Sequence, residues 1–123
     1  METVNNAAIG SPVVEERERR IGRNEALFRE VNDRIERVSG AVRTGTDRLM
    51  ILCECGNNTC VEHIEVSLSE YERIRAESTL FFVRPGHATP DVEDVVEHHD
   101  RYDIVRKEGP AAGLAEELDP RRD

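Results

Sequence analysis

Aromatic side chains are scarce in this chain of 123 residues, which has three phenylalanines, two tyrosines and no tryptophan. Apolar residues make up 37% of the sequence and charged residues 35%. A chain of this length forms one small domain, and its shortage of large apolar side chains limits it to a modest core. Because small cores often need a disulfide or a metal ion as reinforcement, cysteine and histidine become the residues of interest.

Cysteine is scarce as well, and the three cysteines cannot all pair with one another. Residues 1–11 lack the basic start and apolar run of a secretory signal, and no stretch approaches the roughly 20 apolar residues of a membrane span. We therefore expect a cytoplasmic protein without a membrane partner, whose reduced thiols bind metal rather than form disulfides.

An excess of positive charge is also lacking, because the formal net charge is −9. Residues 1–48 carry nine arginines and nine acidic residues, so all of the negative charge comes from residues 49–123. A negatively charged body repels phosphate backbones, so we do not expect DNA or RNA as the main partner. The local basic patch consists of Arg17, Arg19, Arg20 and Arg23, and acidic residues interleave with it.

Motifs of known catalytic sites are missing too. The sequence has neither the His-x-Glu and Pro-Cys-x-x-Cys pattern of zinc deaminases nor the His-Glu-x-x-His of metalloproteases. It also has no glycine-rich phosphate loop and no nucleophile elbow. Since a catalytic zinc needs an open coordination position and a nearby general acid or base, we expect a protein that is not an enzyme.

All three cysteines lie in one short stretch, Cys53, Cys55 and Cys60. Cys53 and Cys55 are two residues apart at the end of an apolar strand, so their side chains point to the same face. Gly56-Asn57-Asn58 is typical of a turn that brings the chain back to Cys60. Zinc binds thiolates at about 2.3 Å, and a tight turn is the usual way to place them. We predict structural Zn²⁺, with buried reduced thiols or a redox-active thiol site as alternatives.

A tetrahedral zinc site needs a fourth ligand, and the chain has four histidines. His63 is nearest in sequence, but its alternation places it on the polar side of the following strand. His87 lies in a proline-framed turn at 84–90 after an apolar strand. If that strand lies beside 49–53, the turn is next to the cysteines. We favour His87, keep His63 as the alternative, and expect His98 and His99 at the surface.

A long N-terminal helix is predicted from Pro12 to about residue 38, with Ser11 as its N-cap and Gly40 as its stop. Apolar residues recur at heptad spacing. They are Val14, Ile21, Phe28, Ile35 and Val42, with Val31 and Val38 between them. The stripe either packs along the sheet, or forms a homodimer seam or a docking arm for a protein partner.

The remaining sequence predicts strands at 49–53, 64–68 and 80–83, the first covered on both faces. Ser67 and Glu70 form a capping box for a short helix carrying Tyr71 and Ile74. Residues 92–106 fit either a helix and strand or a β-hairpin; we favour a helical turn at 90–94 followed by the hairpin. The end of the chain is expected to be a frayed helix and a polar tail.

The predicted segments are a disordered N-terminus (1–11), the long helix (12–40), a zinc-binding core (41–110) and the C-terminal helix and tail (111–123).

Several of these motifs together resemble a group of small uncharacterised actinobacterial proteins. The resemblance lies chiefly in Cys-Glu-Cys-Gly at 53–56, Cys60 and Pro-Gly-His at 85–87, and it covers roughly residues 14–122. It implies a cytoplasmic bacterial protein and favours His87, but it carries no activity. Ala88 stands where such proteins usually have an acidic residue, so no role follows for that side chain.

The sequence therefore predicts an α+β fold with a long N-terminal helix, a small mainly antiparallel sheet and one Cys3His zinc site. The function that fits is a non-enzymatic adaptor or regulator acting through protein–protein contacts. The alternatives are a transcription-linked factor that contacts nucleic acid through the arginines at 17–23, and a thiol-redox protein.

Overall fold

The computed structural model describes residues 12–38, 48–57 and 59–121. The predictions for the N-terminus, for Ser11 and for Gly40 lie outside these residues. Within this part of the chain lie three helices and five strands: α1 (Pro12–Val38), β1 (Arg48–Leu52), β2 (His63–Ser67), α2 (Leu68–Arg75), β3 (Leu80–Val83), β4 (Glu93–His98), β5 (Asp103–Lys107) and α3 (Pro110–Glu117). The predicted α+β class and the long helix are confirmed.

The strands form two small antiparallel sheets. One is the pair β1–β2, in which Ile51 lies opposite Ile64, and the other has the order β3-β5-β4. Residues 93–107 are therefore a hairpin, with a bulge between Val95 and Glu97. The helical turn expected at 90–94 is shorter than predicted. It is one hydrogen-bonded turn, in which the Val92 amide donates to the Thr89 carbonyl, and β4 begins at the next residue, Glu93.

The burial of β1 differs from the prediction that both of its faces are covered. Leu49 and Ile51 are buried, but Met50 between them is 54% exposed. The strand lies in a two-stranded sheet, and only one face of that sheet meets the core. Its uninterrupted apolar run hid the alternation that a half-buried strand normally shows.

The predicted N-cap and short helix at α2 are confirmed, whereas the Glu70 carboxylate accepts from Arg73 and Tyr102. Ser67 is the N-cap, and its hydroxyl accepts a hydrogen bond from the Glu70 amide at 3.1 Å. The cap directs Tyr71 and Ile74 into the core, where both are fully buried. Tyr71 stacks on Phe82 of β3 with ring centroids 5.8 Å apart, so α2 joins the two sheets through one aromatic contact.

The face of α1 that the body covers is polar rather than apolar. Glu25, Arg29, Asn32 and Asp33 are buried, and each follows the previous one by one, three or four residues, which places them on one side of the helix. The described apolar residues of the heptad stripe are less buried than these polar residues. Ile21, Phe28 and Ile35 are half-buried, and Val31 and Val38 are exposed, as is Leu27 beside them. The idea that the whole stripe packs along the sheet is wrong.

The C-terminal helix is anchored, not frayed. Ala111, Leu114 and Ala115 of α3 are buried, and α3 packs on α1 at Gly22, where an added Cβ would lie 3.3 Å from Leu114 Cδ1. The chain after it is held by Asp119, which is buried against an arginine of α2. None of the helices in the described part of the chain is long and apolar enough to cross a membrane.

Candidate metal centre

Four side chains meet at one end of the sheets: Cys53, Cys55, Cys60 and His87. Their three sulfurs and one ring nitrogen all lie within 4.8 Å of one another, so the group can hold a metal ion. His87 Nδ1 is 3.5 Å from Cys53 Sγ and 3.7 Å from Cys60 Sγ. A tetrahedral zinc with Zn–S of about 2.3 Å and Zn–N of about 2.0 Å separates sulfur from nitrogen by about 3.5 Å, so these distances fit such an ion.

The first support of the centre is the turn that carries the cysteines, which we call the cysteine turn (residues 53–60). The Cys53 amide donates to the Glu62 carbonyl at 3.0 Å, which closes the turn at its base. Gly56 has φ of +80°, a conformation that residues with a Cβ rarely adopt. The Cys60 amide then donates to the Asn57 carbonyl at 2.9 Å, which brings the third sulfur back toward the first.

The second support is the histidine turn (residues 84–89) at the end of β3. Gly86 has φ of +84°, and the His87 amide donates to the Arg84 carbonyl at 2.9 Å. β3 lies beside the chain that leaves β1, because the Glu54 amide donates to the Phe82 carbonyl at 2.8 Å. This is the proximity on which the choice of His87 depended, and it delivers the imidazole to the cysteines.

The chemistry of the four side chains suits a metal ion. Cys53 and Cys55 are buried and Cys60 is half-buried, and all three are free thiols. The hydrogen bond from the Cys53 thiol lowers the pKa of Cys55 to about 5, and the same bond together with burial raises the pKa of Cys53. The Arg84 amide also lies 3.2 Å from Cys53 Sγ, a donor that a bound thiolate can use. Three cysteine sulfurs with one imidazole nitrogen form a donor set suited to zinc, which binds cysteine as the thiolate.

The other histidines lie outside this group. His63 is exposed on β2, and it belongs to neither cluster of metal-binding side chains among the described residues. His98 is at the surface, 3.1 Å from an oxygen of Asp103.

His99 forms a second cluster with Glu70 and Glu97. Arg73 already lies between the two carboxylates of this cluster, 2.7 Å from Glu70 and 2.8 Å from Glu97. Its guanidinium occupies the place of a cation, so the cluster is an ion-pair network at the surface.

Glu54 is the residue of this region that sequence reasoning missed. It lies between two ligands, so it points to the opposite face of the chain from Cys53 and Cys55. There it is completely buried. One carboxylate oxygen accepts a hydrogen bond from the side-chain amide of Asn32 at 2.8 Å, and the other accepts from the backbone amide of Phe82 at 3.0 Å. Burial raises the pKa of Glu54. The alternation predicted its direction, but only the packing of α1 explains its burial.

A groove of about 280 Å³ opens to the surface beside the centre. Its lining includes Cys55 and His87 of the candidate centre together with Asn57, Gly86 and Thr89. The groove gives an ion a path from solvent to the centre, while Cys53 lies on the buried side.

Comparison of the chain with protein-family models, curated proteins and solved structures gives no match. The resemblance to small actinobacterial proteins therefore stays a prediction. The Cys3His group and the surfaces around it are therefore the basis for inferring a function.

Proposed function

We propose that this protein is a non-enzymatic zinc-binding adaptor, in which Zn²⁺ is held by Cys53, Cys55, Cys60 and His87 and joins the cysteine turn to the histidine turn. The observation that carries the proposal is the convergence of three sulfurs and one imidazole nitrogen within 4.8 Å. Three thiolates and a histidine make a closed tetrahedral set, which is typical of structural zinc; catalytic zinc keeps a position open for water or substrate.

Zinc in this position would contribute directly to folding. The two turns are 24 residues or more apart in sequence, and the contacts described between them at the centre run from the Arg84 amide and the His87 ring to cysteine sulfurs. Structural zinc sites in small peptides contribute about 10–16 kcal/mol at neutral pH. Even a fraction of that value is large beside the marginal stability of a small domain.

Elemental analysis of the protein purified without added metal tests this proposal. We expect one zinc per chain, and a fall in melting temperature, followed by circular dichroism, when a chelator removes it. Cys55→Ser should retain much less zinc than the wild type. A folded protein that contains no zinc, binds none on titration and melts at the same temperature with and without chelator would overturn the zinc site.

The adaptor role depends on the outward face of α1, which we call the contact face: Leu27, Val31 and Val38, with Leu118 beside them. The side chains are 55%, 37%, 66% and 42% exposed. Two grooves of about 230 and 240 Å³ run along this face and share Leu27 and Glu30. Exposed apolar side chains gathered on one helix face are typical of a protein-interaction surface.

The occupant that we propose for the contact face is a second copy of the chain. Glu30 and Arg34 flank Val31 in one groove. If two α1 helices pair antiparallel with Val31 near the two-fold axis, Glu30 of each helix faces Arg34 of the other. Such self-complementary charges around an apolar centre suit a symmetric dimer, in which the same patch serves both partners.

Light scattering coupled to size-exclusion chromatography tests whether a second copy of the chain binds at the contact face. We expect a dimer for the wild type, a monomer for Val31→Asp and a dimer for Val96→Asp, which changes an exposed valine of β4 outside the contact face. A monomeric wild type at about 100 μM, a concentration at which weak dimers of micromolar Kd assemble, would overturn the second copy as the occupant.

The transcription-linked alternative gains no support from the arginine patch. Arg17 pairs with Asp91 at 2.6 Å, and Arg23 pairs with Glu16 at 3.0 Å. Two of the four arginines in the patch therefore pair with carboxylates of the protein itself.

The thiol-redox alternative fits the arrangement less well than zinc does, because two of the three cysteines are buried and a histidine nitrogen is directed at the sulfurs. Rapid labelling of the thiols in the native protein would favour that alternative.

A further inference from the structure

The cysteine turn is in direct contact with the polar face of α1. The side-chain amide of Asn24 donates to the Gly56 carbonyl at 3.1 Å. Glu25 and Ile21 press against Gly56 so closely that an added Cβ would lie 2.8 Å from Glu25 Cγ and 3.1 Å from Ile21 Cγ2. Gly56 immediately follows the ligand Cys55, so α1 rests on the backbone that the metal would fix.

A second set of contacts lies seven or eight residues further along α1, about two turns of the helix, and reaches the start of the cysteine turn. Asn32 exchanges two hydrogen bonds with the backbone of Leu52, at 2.8 and 2.9 Å, and donates a third to Glu54 at 2.8 Å. Leu52 and Glu54 flank the ligand Cys53. Both ends of the segment that presents the first two sulfurs are therefore bonded to the helix.

The histidine turn reaches α1 by another path. The amide of Thr89, two residues after the ligand His87, donates to a carboxylate oxygen of Glu93 at 2.7 Å. Glu93 forms an ion pair with Lys107, and Lys107 forms another with Glu25 of α1. The side chains of Glu93, Lys107 and Glu25 are fully buried. Each of the two turns that would share the metal is thus connected to α1.

The nature of these contacts makes them sensitive to the geometry of the turns. Apolar packing is non-directional and tolerates small shifts. Hydrogen bonds weaken steeply with distance and angle, and a buried polar group that loses its partner costs about 1–3 kcal/mol. Because α1 buries polar groups against the turns, a change in either turn acts on several such bonds at once.

We propose that occupancy of the metal centre controls the docking of α1 on the rest of the molecule. This inference rests on the proposed zinc site. With the ion bound, the two turns are held together and present Leu52, Glu54 and Gly56 in the positions that Asn24 and Asn32 require. With the ion removed, the turns relax and α1 undocks first. The core formed by α2, β3 and the β4–β5 hairpin has its own buried aromatic contacts and stays folded.

Docking of α1 also sets the presentation of the contact face. The face includes Leu118, which follows α3, and residues of α1. It is therefore continuous only while α1 lies against α3. Loss of the metal would divide the face, which makes protein contact by this adaptor dependent on zinc.

Hydrogen exchange with mass spectrometry on the full chain tests the proposal. Zinc-loaded protein is compared with chelator-treated protein, well below its melting temperature, and zinc per chain is measured in both samples. We expect amide exchange in α1 to rise by at least about tenfold after zinc removal while the β4–β5 hairpin changes little, as local opening requires. Unchanged exchange in α1, or an equal rise in α1 and the hairpin, would overturn it.

A matched pair of variants separates docking from metal binding. Asn32→Leu removes the two bonds to Leu52, the residue before the cysteine turn, and the bond to Glu54 within it, but it removes no metal-binding side chain, so we expect one zinc per chain and faster exchange in α1. Arg19→Gln, at an exposed position of α1 outside the contact face, should change neither. If Asn32→Leu leaves exchange in α1 at the wild-type rate, the proposal fails. If the wild type itself contains no zinc, the failure is that of the zinc site.

Discussion

The side chain of Asn32 pairs with both backbone polar groups of Leu52: its amide nitrogen donates to the Leu52 carbonyl and its oxygen accepts from the Leu52 amide. A single side chain thus takes the place of a neighbouring strand at the end of β1. Exposed edges of sheets are prone to pair with other chains, and this contact covers the edge at the residue before Cys53 of the candidate metal centre. It also explains why a helix with a polar buried face is fixed in one position.

Replacing Asn32 by leucine should lower the free energy of unfolding by about 1–3 kcal/mol or more, because the polar groups of Leu52 and an oxygen of Glu54 lose their partner in a buried place. Urea denaturation measures the change. Arg19→Gln, at an exposed position on the same helix outside the contact face, should stay within about 0.5 kcal/mol of the wild type. Equal stability of the two variants would contradict the importance of the Asn32 contacts.

Gly56→Ala should be strongly destabilising, for two reasons that add. The backbone at Gly56 has φ of +80°, and the new methyl group would meet Glu25 Cγ at 2.8 Å. A left-handed conformation alone costs about 1–2 kcal/mol for a residue with a Cβ.

Gly113→Ala is the control for that variant. Gly113 lies inside α3, and nothing lies within 4 Å of its added Cβ. Alanine should stabilise the helix there by about 0.5–1 kcal/mol. Thermal melts of both variants should therefore move in opposite directions, and a Gly56→Ala protein as stable as the wild type would argue against the described packing of α1 on the cysteine turn.

His87→Ala should weaken zinc retention much more than His63→Ala does, because His87 Nδ1 faces two of the sulfurs whereas His63 is an exposed residue of β2. The measurement is zinc per chain after dialysis against a weak chelator. Equal retention in the two variants would exclude His87 as the fourth ligand.

Acid should destabilise the protein through the buried ion network of Asp33, Arg75 and Asp119. Burial raises the pKa of both carboxyls, but hydrogen bonds from Arg75, with further bonds from Tyr71 to Asp33 and from Ser78 to Asp119, outweigh it and lower both pKa values below the usual range. A carboxyl whose pKa is lower in the folded state contributes stability above its unfolded pKa, which is about 4, and that stability is lost as the pH falls.

Urea denaturation between pH 7 and pH 3 measures that loss. The free energy of unfolding should fall toward pH 3 in the wild type and fall less steeply in Asp119→Asn, which has one such carboxyl fewer. Arg75→Leu leaves two buried carboxylates without their partner and should cost about 3–5 kcal/mol at pH 7. A wild type with the same stability at pH 7 and pH 3 would contradict the assigned ion pairs.

Local signals in the sequence were sufficient for much of the fold and of the candidate site. The Ser67 N-cap of α2, the strand at 80–83 and the hairpin at 93–107 are all present, because each depends on neighbouring residues. The grouping of Cys53, Cys55 and Cys60 followed from turn chemistry. His87 required one additional assumption, that β3 lies beside the end of β1, and the Glu54–Phe82 hydrogen bond meets it.

The polar face of α1 could not be predicted, because apolar periodicity is the usual sign of a buried helix face and here it marks the half-buried and exposed sides. Asn32 and Glu25 look like solvated residues until their partners, Leu52 and Lys107, are known to lie opposite them. The same limit applies to Asp119, which reads as part of a polar tail but is buried against Arg75. Such long-range polar pairs leave no periodic pattern in a single sequence.

X-ray absorption at the zinc edge, recorded on the protein as purified, decides whether the Cys3His site holds zinc. We expect one zinc per chain surrounded by three sulfurs at about 2.3 Å and one nitrogen at about 2.0–2.1 Å, with no further oxygen ligand. Loss of the nitrogen shell in His87→Ala would assign it to that residue. A spectrum dominated by oxygen or nitrogen ligands, or a natively folded protein with no zinc, would contradict the account.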